Sequence, residues 1–352
     1  MSSRGHHRGG HRRGQPGGAG RLTGAAARAT SRPMSSTPSS RAAPPAWILA
    51  EPYAGMASQG RGLAERAGLT AEFRPIVAPA PWRWLTARLW PDPLSRLNGA
   101  LAAPWPEVAI GVGGTGGVIT AALREARRVA AVQIQHPRLD PRRFDLIFVA
   151  PHDGLEGPNV VVTRTALHGV TPAKLAAAAE VWAPVFAHLP RPRLAVLVGG
   201  SNGRFRLRRG EGEALARALA GLIDRERVGM MLTPSRRTAP EVRRILARTL
   251  RPRGAYVWDG EGENPYLGLL ALADAILVTE DSVSMISEAV ATPHPVLLFR
   301  LPGHSRRQRA FSEGLIRAGR VREFRGALEI WPTEPIDDSD HAAAELRRRL
   351  RL

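Results

Sequence analysis

Residues 275 to 299 read AILVTEDSVSMISEAVATPHPVLLF, and this stretch decides the fold. An apolar run leads into small polar and acidic residues at 279 to 284, and a helical segment follows them. A second apolar run begins after Pro293. Strand, polar turn, helix and strand in this order predict a βαβ unit. The N-terminus of its helix presents free backbone N–H groups and a positive dipole end, so we expect a phosphate-bearing ligand there.

The same alternation of apolar runs and helical segments extends over most of the chain. We predict strands at 47–50, 108–112, 129–134, 146–149, 160–163, 194–198, 228–232, 255–258, 275–278 and 296–299. Continuous apolar strands separated by helices are typical of parallel sheets covered on both faces. The sequence therefore predicts an α/β protein with two successive parallel sheets, divided near residue 190.

Changes in composition divide the chain into four parts. Residues 1–46 consist mostly of Gly, Arg, Ser, Pro and Ala, so they cannot bury enough apolar surface to offset chain entropy, and we predict disorder there. Met34, within this tail, is an alternative start of translation. Residues 47–190 and 191–302 form the two predicted domains, and we expect residues 303–352 to pack back across both.

The charge of the chain is strongly positive but unevenly placed. Residues 1–46 hold eight arginines and no acidic residue, so the tail accounts for +8 of the net charge of +19 and the remainder for +11. Lys174 is the only lysine, which indicates a GC-rich, bacterial coding bias, and we do not expect nucleic acid as a partner. The absence of cysteine excludes disulfides and fits a reducing compartment. The sequence contains no uninterrupted run of 18 apolar residues, so no transmembrane helix is predicted.

Four loops of the second predicted domain carry its small and polar residues, and each follows a predicted strand. Parallel strands place their carboxyl ends at one edge of a sheet, where open α/β folds bind ligands. Glycine-rich loops also leave backbone N–H groups accessible to phosphate. We therefore predict a nucleotide site formed by Gly199, Gly200, Ser201, Asn202, Thr233, Ser235, Arg236, Asn264, Thr279, Ser282, Ser284 and Glu288.

Individual side chains in these loops suit different parts of a nucleotide. The fork-shaped guanidinium of Arg236 can bind a diphosphate bidentately. The hydroxyls of Ser282 and Ser284 can donate to phosphate near the helix N-terminus. Glu288 lies less than two turns further along, where its carboxylate can accept both hydroxyls of a ribose. Asp281 is expected to cap the helix, because aspartate is among the best N-cap residues.

The first half contains a glycine-rich motif of its own, Gly111–Gly116, between a predicted strand and a predicted helix. It fits the G-x-G-x-x-G template of dinucleotide sites. Such sites also use an Asp or Glu at the end of the next strand to hold a ribose. That strand ends in Gln133 to His136, with no carboxylate before Asp140. We therefore interpret the glycines as a tight turn at a cleft between the domains.

Three residues on loops of the first half are candidates for a general base, namely His136, His152 and Asp153. Each also suits an ordinary hydrogen-bonding role in its loop, and the sequence leaves both interpretations open. The spacing of histidines and acidic residues matches no metal-ligand pattern, so no bound metal is predicted.

The segment at 79–99, PAPWRWLTARLWPDPLSRLNG, is unusually rich in tryptophan, leucine and arginine. Trp82, Leu85 and Leu89 would lie on one face of a short helix, with Trp84 and Trp90 near them. This composition suits a membrane interface or the entrance for a lipid acceptor. Packing of the aromatic residues against the sheet is the interpretation that we favour.

Longer motifs resemble a known family. QIQHPR at 133–138, PHDGLEGPNVVVT at 151–163, TPSRRT at 233–238, the stretch 258–289 and LPGHSRR at 301–307 resemble the mitochondrial-fission ELM family, which in turn is similar to GT-B glycosyltransferases. The resemblance implies two Rossmann-like domains whose parallel sheets face each other across a cleft. It also implies that Gly199, Gly200, Ser201, Arg236, Ser282, Ser284 and Glu288 hold a nucleotide sugar.

The resemblance further implies a metal-independent glycosyltransferase, with a nucleotide-diphosphate sugar as donor and no intrinsic cofactor. The acceptor would be lipid-linked or part of the cell envelope, and the protein cytoplasmic or peripheral on the inner face of the cytoplasmic membrane. The loops at 51–56 and 113–115 depart from the pattern of bacterial relatives. Both loops lie in the first predicted domain, so the departures concern the choice of acceptor and the activity itself. The alternative is a non-catalytic interaction protein that recruits a protein partner and keeps a vestigial or regulatory nucleotide site.

Overall fold

A computed structural model describes residues 43–97 and 101–352 of the chain. The disorder predicted for residues 1–46 falls almost entirely outside the described residues. Of the described part of that tail, Pro45 and Ala46 already belong to the first strand, which therefore begins two residues before its predicted start.

Six parallel strands form the first sheet, in the order β2-β1-β3-β4-β5-β6. Its elements are β1 (Pro45–Ala50), α1 (Ala54–Arg66), β2 (Thr70–Pro75), β3 (Val108–Val112), α2 (Gly113–Arg127), β4 (Ala130–Ile134), β5 (Leu146–Val149) and β6 (Val160–Val162). Buried residues on both faces pack this sheet against the helices.

Six further parallel strands form the second sheet, in the order β12-β11-β10-β7-β8-β9. The elements of this part are α3 (Pro172–Phe186), β7 (Arg193–Val198), α4 (Arg209–Glu226), β8 (Gly229–Pro234), α5 (Pro240–Leu250), β9 (Tyr256–Val257), α6 (Tyr266–Leu272), β10 (Ala275–Thr279), α7 (Val283–Val290), β11 (Val296–Phe299), α8 (Arg306–Arg317), β12 (Val321–Glu323) and α9 (Ser339–Leu350). The two parallel sheets confirm the predicted fold class.

Central strands were predictable because both of their faces are buried. β3, β5 and β11 have the bounds that their apolar runs predict. The sequence pattern misses β2 and β12, each of which lies at one edge of its sheet. β2 reads TAEFRP and is only partly buried, so it lacks the continuous apolar run of a central strand.

Two helices lie across the predicted division of the chain from the sheet on which they pack. α3 precedes residue 190 but packs on the second sheet, where Phe186 joins the core and Trp182 lies against Gly268 of α6. α9 packs on the first sheet through Ala342, Ala343 and Leu346. The chain therefore crosses between the sheets near residue 170 and again before residue 339.

A buried arginine closes the C-terminal end of α7. Arg320 is almost fully buried, and its guanidinium donates to the carbonyl oxygens of Val290 at 3.0 Å and His294 at 2.9 Å, and to that of Thr292. Desolvation lowers the pKa of Arg320 to about 10. Cations stabilise the negative dipole end of a helix, so Arg320 fixes the helix whose other end faces the predicted nucleotide site.

We expect Arg320→Met to destabilise the fold by about 2 to 4 kcal/mol, because it leaves several buried carbonyl groups without a donor. Chemical denaturation with circular dichroism measures this change. Arg317→Met, at an exposed position on α8, is the matched control and should change stability by about 0.5 kcal/mol or less. Equal effects of the two substitutions would contradict the assigned role.

Candidate functional site

A cleft of about 220 Å³ lies between loops that follow strands of the two sheets. The first sheet contributes residues after β4, β5 and β6, including His152 and Asp153. The second sheet contributes Arg204 and Val283, which is the first residue of α7. It also contributes the start of α8, including Arg307. Because both sheets are parallel, these loops emerge at the carboxyl edges, where α/β folds bind ligands.

A buried carboxylate organises the loops of the second sheet. Asp281 accepts hydrogen bonds from the backbone N–H of Gly200 at 2.9 Å and the hydroxyl of Thr279 at 2.7 Å. It also forms an ion pair with Arg237, at 2.8 Å. The prediction that Asp281 caps α7 is wrong, since Ser282 is the N-cap and accepts from the N–H of Met285 at 3.4 Å. A buried charge needs such partners, and Asp281 finds them on the loops after β7 and β8 and at the last residue of β10.

The glycines of the first loop make room for protein atoms. A Cβ at Gly199 would clash with the Asp281 carboxylate, and one at Gly200 would clash with the backbone of Arg237. The N–H of Gly199 donates to the Thr279 hydroxyl at 2.8 Å. Close packing of the loops on one another is therefore sufficient reason for glycine at both positions.

Ser201 and Asn202 shape the same loop with their side chains. The hydroxyl of Ser201 accepts from the N–H of Leu207 at 2.9 Å. The side-chain oxygen of Asn202 accepts from the N–H groups of Arg204 and Phe205 at 2.8 and 2.9 Å. These bonds hold the turn that places Arg204 at the cleft.

The next two loops carry four predicted site residues in different settings. Thr233 is buried within β8, and the hydroxyl of Ser235 lies 3.2 Å from that of Thr238. Arg236 is exposed, whereas the neighbouring Arg237 pairs with Asp281. Asn264 is exposed and accepts from the N–H of Tyr266 at 3.1 Å. Diphosphate binding by Arg236 stays a prediction.

Two predicted residues of α7 face α1, a helix of the first sheet. A Cβ at Gly55 would lie 2.9 Å from the hydroxyl of Ser284. Glu288 is buried and accepts hydrogen bonds from Ser58 of α1 at 3.3 Å and from the hydroxyl of Tyr266. Burial raises the pKa of Glu288, although both hydrogen bonds oppose this shift. In this conformation, two protein hydroxyls bind the carboxylate for which ribose hydroxyls were predicted.

The structure separates the three candidate bases of the first half. His136 accepts from the N–H of Arg138 through Nδ1 at 2.9 Å, within its own loop, whereas His152 and Asp153 line the cleft. Burial lowers the pKa of His152, with Asp153 opposing and Arg307 adding to the shift. The Asp153 side chain is only 6% exposed, and its Oδ1 lies 3.3 Å from Nη2 of Arg307.

Two arginines at the cleft were missed by the sequence reasoning. Arg204 donates to the hydroxyl of Ser305 at 2.9 Å, and Arg307 is the partner of Asp153. Arg204 ends the glycine-rich run after β7, and Arg307 lies in LPGHSRR, one of the motifs that resemble the family. The loop after β11 was not counted among the site loops, although it follows a strand of the same sheet. The cleft thus has guanidinium groups from one sheet facing an imidazole and a carboxylate from the other.

Within residues 43–97 and 101–352, no group of three His, Asp or Glu side chains is arranged to hold a metal ion. In the same ranges, no helix is both long and apolar enough to span a bilayer.

Sequence comparison places the chain among known proteins. The profile of a family described as mitochondrial fission ELM1 matches residues 54–350. The chain belongs to the mitochondrial fission ELM1 family. Mitochondrial fission protein ELM1 of Arabidopsis thaliana is 33% identical over 253 residues, which cover 64% of this chain and 59% of the plant protein. An uncharacterised protein of Rickettsia prowazekii is 24% identical, with 87% of this chain and 98% of that protein covered.

Solved structures share the two-sheet architecture of this family member. The UDP-GlcNAc 2-epimerase of Methanocaldococcus jannaschii, in complex with UDP-GlcNAc and UDP, matches with a TM-score of 0.53 and 12% identity, covering 86% of this chain and 98% of the epimerase. The glycotransferase of kitacinnamycin matches with a TM-score of 0.50 and 15% identity, covering 88% and 95%. These likenesses confirm the GT-B-like fold.

We expect Asp281→Asn to destabilise the protein by about 2 to 3 kcal/mol, because the substitution removes the charge that pairs with Arg237 and leaves the loop N–H groups with a weaker acceptor. Denaturant unfolding measures the loss. Asp224→Asn is the matched control, since the Asp224–Arg253 pair is exposed and should contribute about 0.5 kcal/mol. A loss no larger than that of the control would contradict the organising role of Asp281.

Glu288→Gln should stabilise the protein relative to wild type, increasingly as pH rises from about 4 to 7. The folded-state pKa of Glu288 is raised, so ionisation costs more in the folded than in the unfolded protein, and wild-type stability falls over this window. Thermal unfolding at several pH values measures the difference between the two proteins. Glu180→Gln, at an exposed position on α3, should show no such trend. A pH-independent difference for Glu288→Gln would contradict the burial argument.

Proposed function

We propose that this protein transfers a sugar from a nucleotide-diphosphate donor to an acceptor hydroxyl in the cleft between its two sheets. The observation that carries the proposal is the composition of that cleft. Arg204 and Arg307 approach from the second sheet, and His152 and Asp153 approach from the first. An anionic donor and a nucleophile can therefore be held on opposite walls of one site.

The donor would lie on the second sheet. Its diphosphate would be held by Arg204, by Arg307 and by the N-terminus of α7, whose first residue, Val283, lines the cleft. Negative charge grows on the diphosphate as the bond to the sugar breaks, and fixed positive groups stabilise that charge. Glu288 would accept the ribose hydroxyls after Ser58 has moved away.

The acceptor would lie on the first sheet, beside His152. The acceptor oxygen attacks the anomeric carbon, the bond from that carbon to the diphosphate breaks, and the nucleoside diphosphate leaves with the electron pair. His152 accepts the proton of the acceptor hydroxyl, since its lowered pKa leaves the imidazole neutral at pH 7. Asp153 positions Arg307 through their ion pair.

Two structures with the same fold support a nucleotide-diphosphate sugar as the donor. An epimerase with the same fold binds UDP-GlcNAc and UDP, and a second protein with this fold is a glycotransferase. We propose a lipid-linked or cell-envelope acceptor, which would place the protein at the inner face of the cytoplasmic membrane.

The second candidate is recruitment of a protein partner without catalysis. The similarity to the plant mitochondrial fission protein supports it. In that case the cleft would bind a nucleotide or nucleotide sugar as a regulatory ligand, and no transfer would follow.

The first test is binding to a panel of UDP-, GDP-, ADP- and CMP-sugars, measured by calorimetry. We expect nucleotide-diphosphate sugars to bind and CMP-sugars, which carry one phosphate, to bind more weakly. Arg307→Met should weaken binding at least about tenfold, the equivalent of roughly 1.4 kcal/mol. Arg309→Met, two residues further along α8 and exposed, should leave binding unchanged. If no member of the panel binds, the proposed function is wrong.

The second measurement is release of nucleoside diphosphate when donor and candidate acceptors are present together. His152→Gln should retain donor binding and lower the rate of release by about 10² to 10⁴-fold, as expected for loss of a general base. Donor binding without release in the wild-type protein, for every acceptor supplied, would favour the recruitment function.

A further inference from the structure

Four apolar side chains of the segment between β2 and β3 point outward. Val77, Trp84, Leu85 and Leu89 are 67%, 69%, 46% and 61% exposed. All four lie in the segment that follows β2, the strand at one edge of the first sheet. This concentration of exposed apolar surface is typical of a docking surface. We call these residues the apolar edge.

The apolar edge stands on a fixed support. Trp90 is buried, and its Nε1 donates to the carbonyl oxygens of Trp82 at 3.2 Å and Leu85 at 3.3 Å. Ala87 and Leu97 are buried in the same cluster as residues of α2. The sequence suggested either packing against the sheet or contact with a membrane. Trp90 packs inward, whereas the apolar edge faces outward, so each interpretation applies to different residues. The short turns at 82–84 and 87–89 keep this orientation.

Positive charge accompanies the apolar edge. Residues 79–97 include three arginines and one acidic residue, Asp92, which gives the segment a net charge of +2. Arg88 is exposed within the turn that carries Leu89, and the guanidinium of Arg96 lies over the ring of Trp82 at 4.7 Å. Arginine beside exposed tryptophan and leucine is the composition that binds the headgroup region of anionic membranes.

We propose that the apolar edge inserts into the headgroup boundary of a bilayer that contains anionic phospholipid, with Arg88 bound to lipid phosphate. Tryptophan favours this depth because its ring is amphipathic. A stable interface with a second protein buries about 20 to 30 residues on each side, far more than four side chains supply. The charge and size of the surface therefore fit a membrane better than a second copy of the chain.

The position of the apolar edge leaves the cleft accessible. β2 is the outermost strand of the first sheet, whereas the loops that line the cleft follow β4, β5 and β6 toward the other side of that sheet. The apolar edge and one wall of the cleft belong to the same sheet, so attachment would hold the cleft near the bilayer. This inference does not depend on sugar transfer, and nucleotide-sugar binding in solution tests that function separately.

The experiment is cosedimentation of the full chain with vesicles of phosphatidylcholine, with and without phosphatidylglycerol. The arginine-rich tail also attracts anionic lipid, so binding is compared at low and high salt, which screens the tail but not apolar insertion. We expect wild-type binding to the phosphatidylglycerol vesicles to persist in part at high salt. The double variant Trp84→Gln, Leu89→Gln should lose at least tenfold of that salt-resistant binding.

Val181→Gln is the matched control, because Val181 is an exposed apolar residue on α3, away from this segment, and binding should not change. Unaltered circular dichroism and thermal unfolding of the double variant would show that it folds. Equal high-salt binding of double variant and wild type, or no vesicle binding by the wild type, would overturn the proposal. So would concentration-dependent self-association that the double variant lacks, since the surface would then be a contact between copies.

Discussion

The carboxyl edge of the second sheet depends on one buried charge, that of Asp281. A carboxylate removed from water is stable only when donors surround it, and Asp281 finds them on the loops after β7 and β8 and at the last residue of β10. Those loops must therefore converge, and they can do so only because Gly199 and Gly200 lack side chains. The resulting turn carries Arg204 to the cleft. An internal electrostatic requirement thus shapes the wall of the cleft on which Arg204 lies.

Contacts between the two sheets set a second constraint. Glu288 of α7 accepts from Ser58 of α1, and Arg66 at the end of α1 forms an ion pair with Asp337, just before α9, at 2.8 Å. A ribose at Glu288 would need the hydrogen-bonding capacity that Ser58 now uses. Nucleotide binding at Glu288 would therefore compete with a contact between helices of the two sheets. The raised pKa of Glu288 reflects how completely this contact excludes water.

The arginines show what residue type alone leaves open in a chain of this composition. With one lysine and many arginines, several loops contain a guanidinium that could meet a phosphate. TPSRRT offers two adjacent arginines, of which the sequence predicts Arg236 as the diphosphate ligand. In the structure Arg237 binds Asp281, Arg236 is exposed, and Arg204 and Arg307 line the cleft. Neighbours in sequence point in different directions, so the residue type alone cannot identify the one that faces a site.

By itself the sequence determined the two parallel sheets and the edge at which their loops meet, because buried central strands require continuous apolar runs and parallel strands share one carboxyl edge. It also determined the family, through long motifs. Only the tertiary structure decided that Asp281 organises the loops, that Glu288 contacts Ser58, and that α9 packs on the first sheet. These contacts join residues far apart in the chain, 230 positions in the case of Ser58 and Glu288. Local sequence patterns cannot identify such long-range partners, because only the packing of the whole chain brings them together.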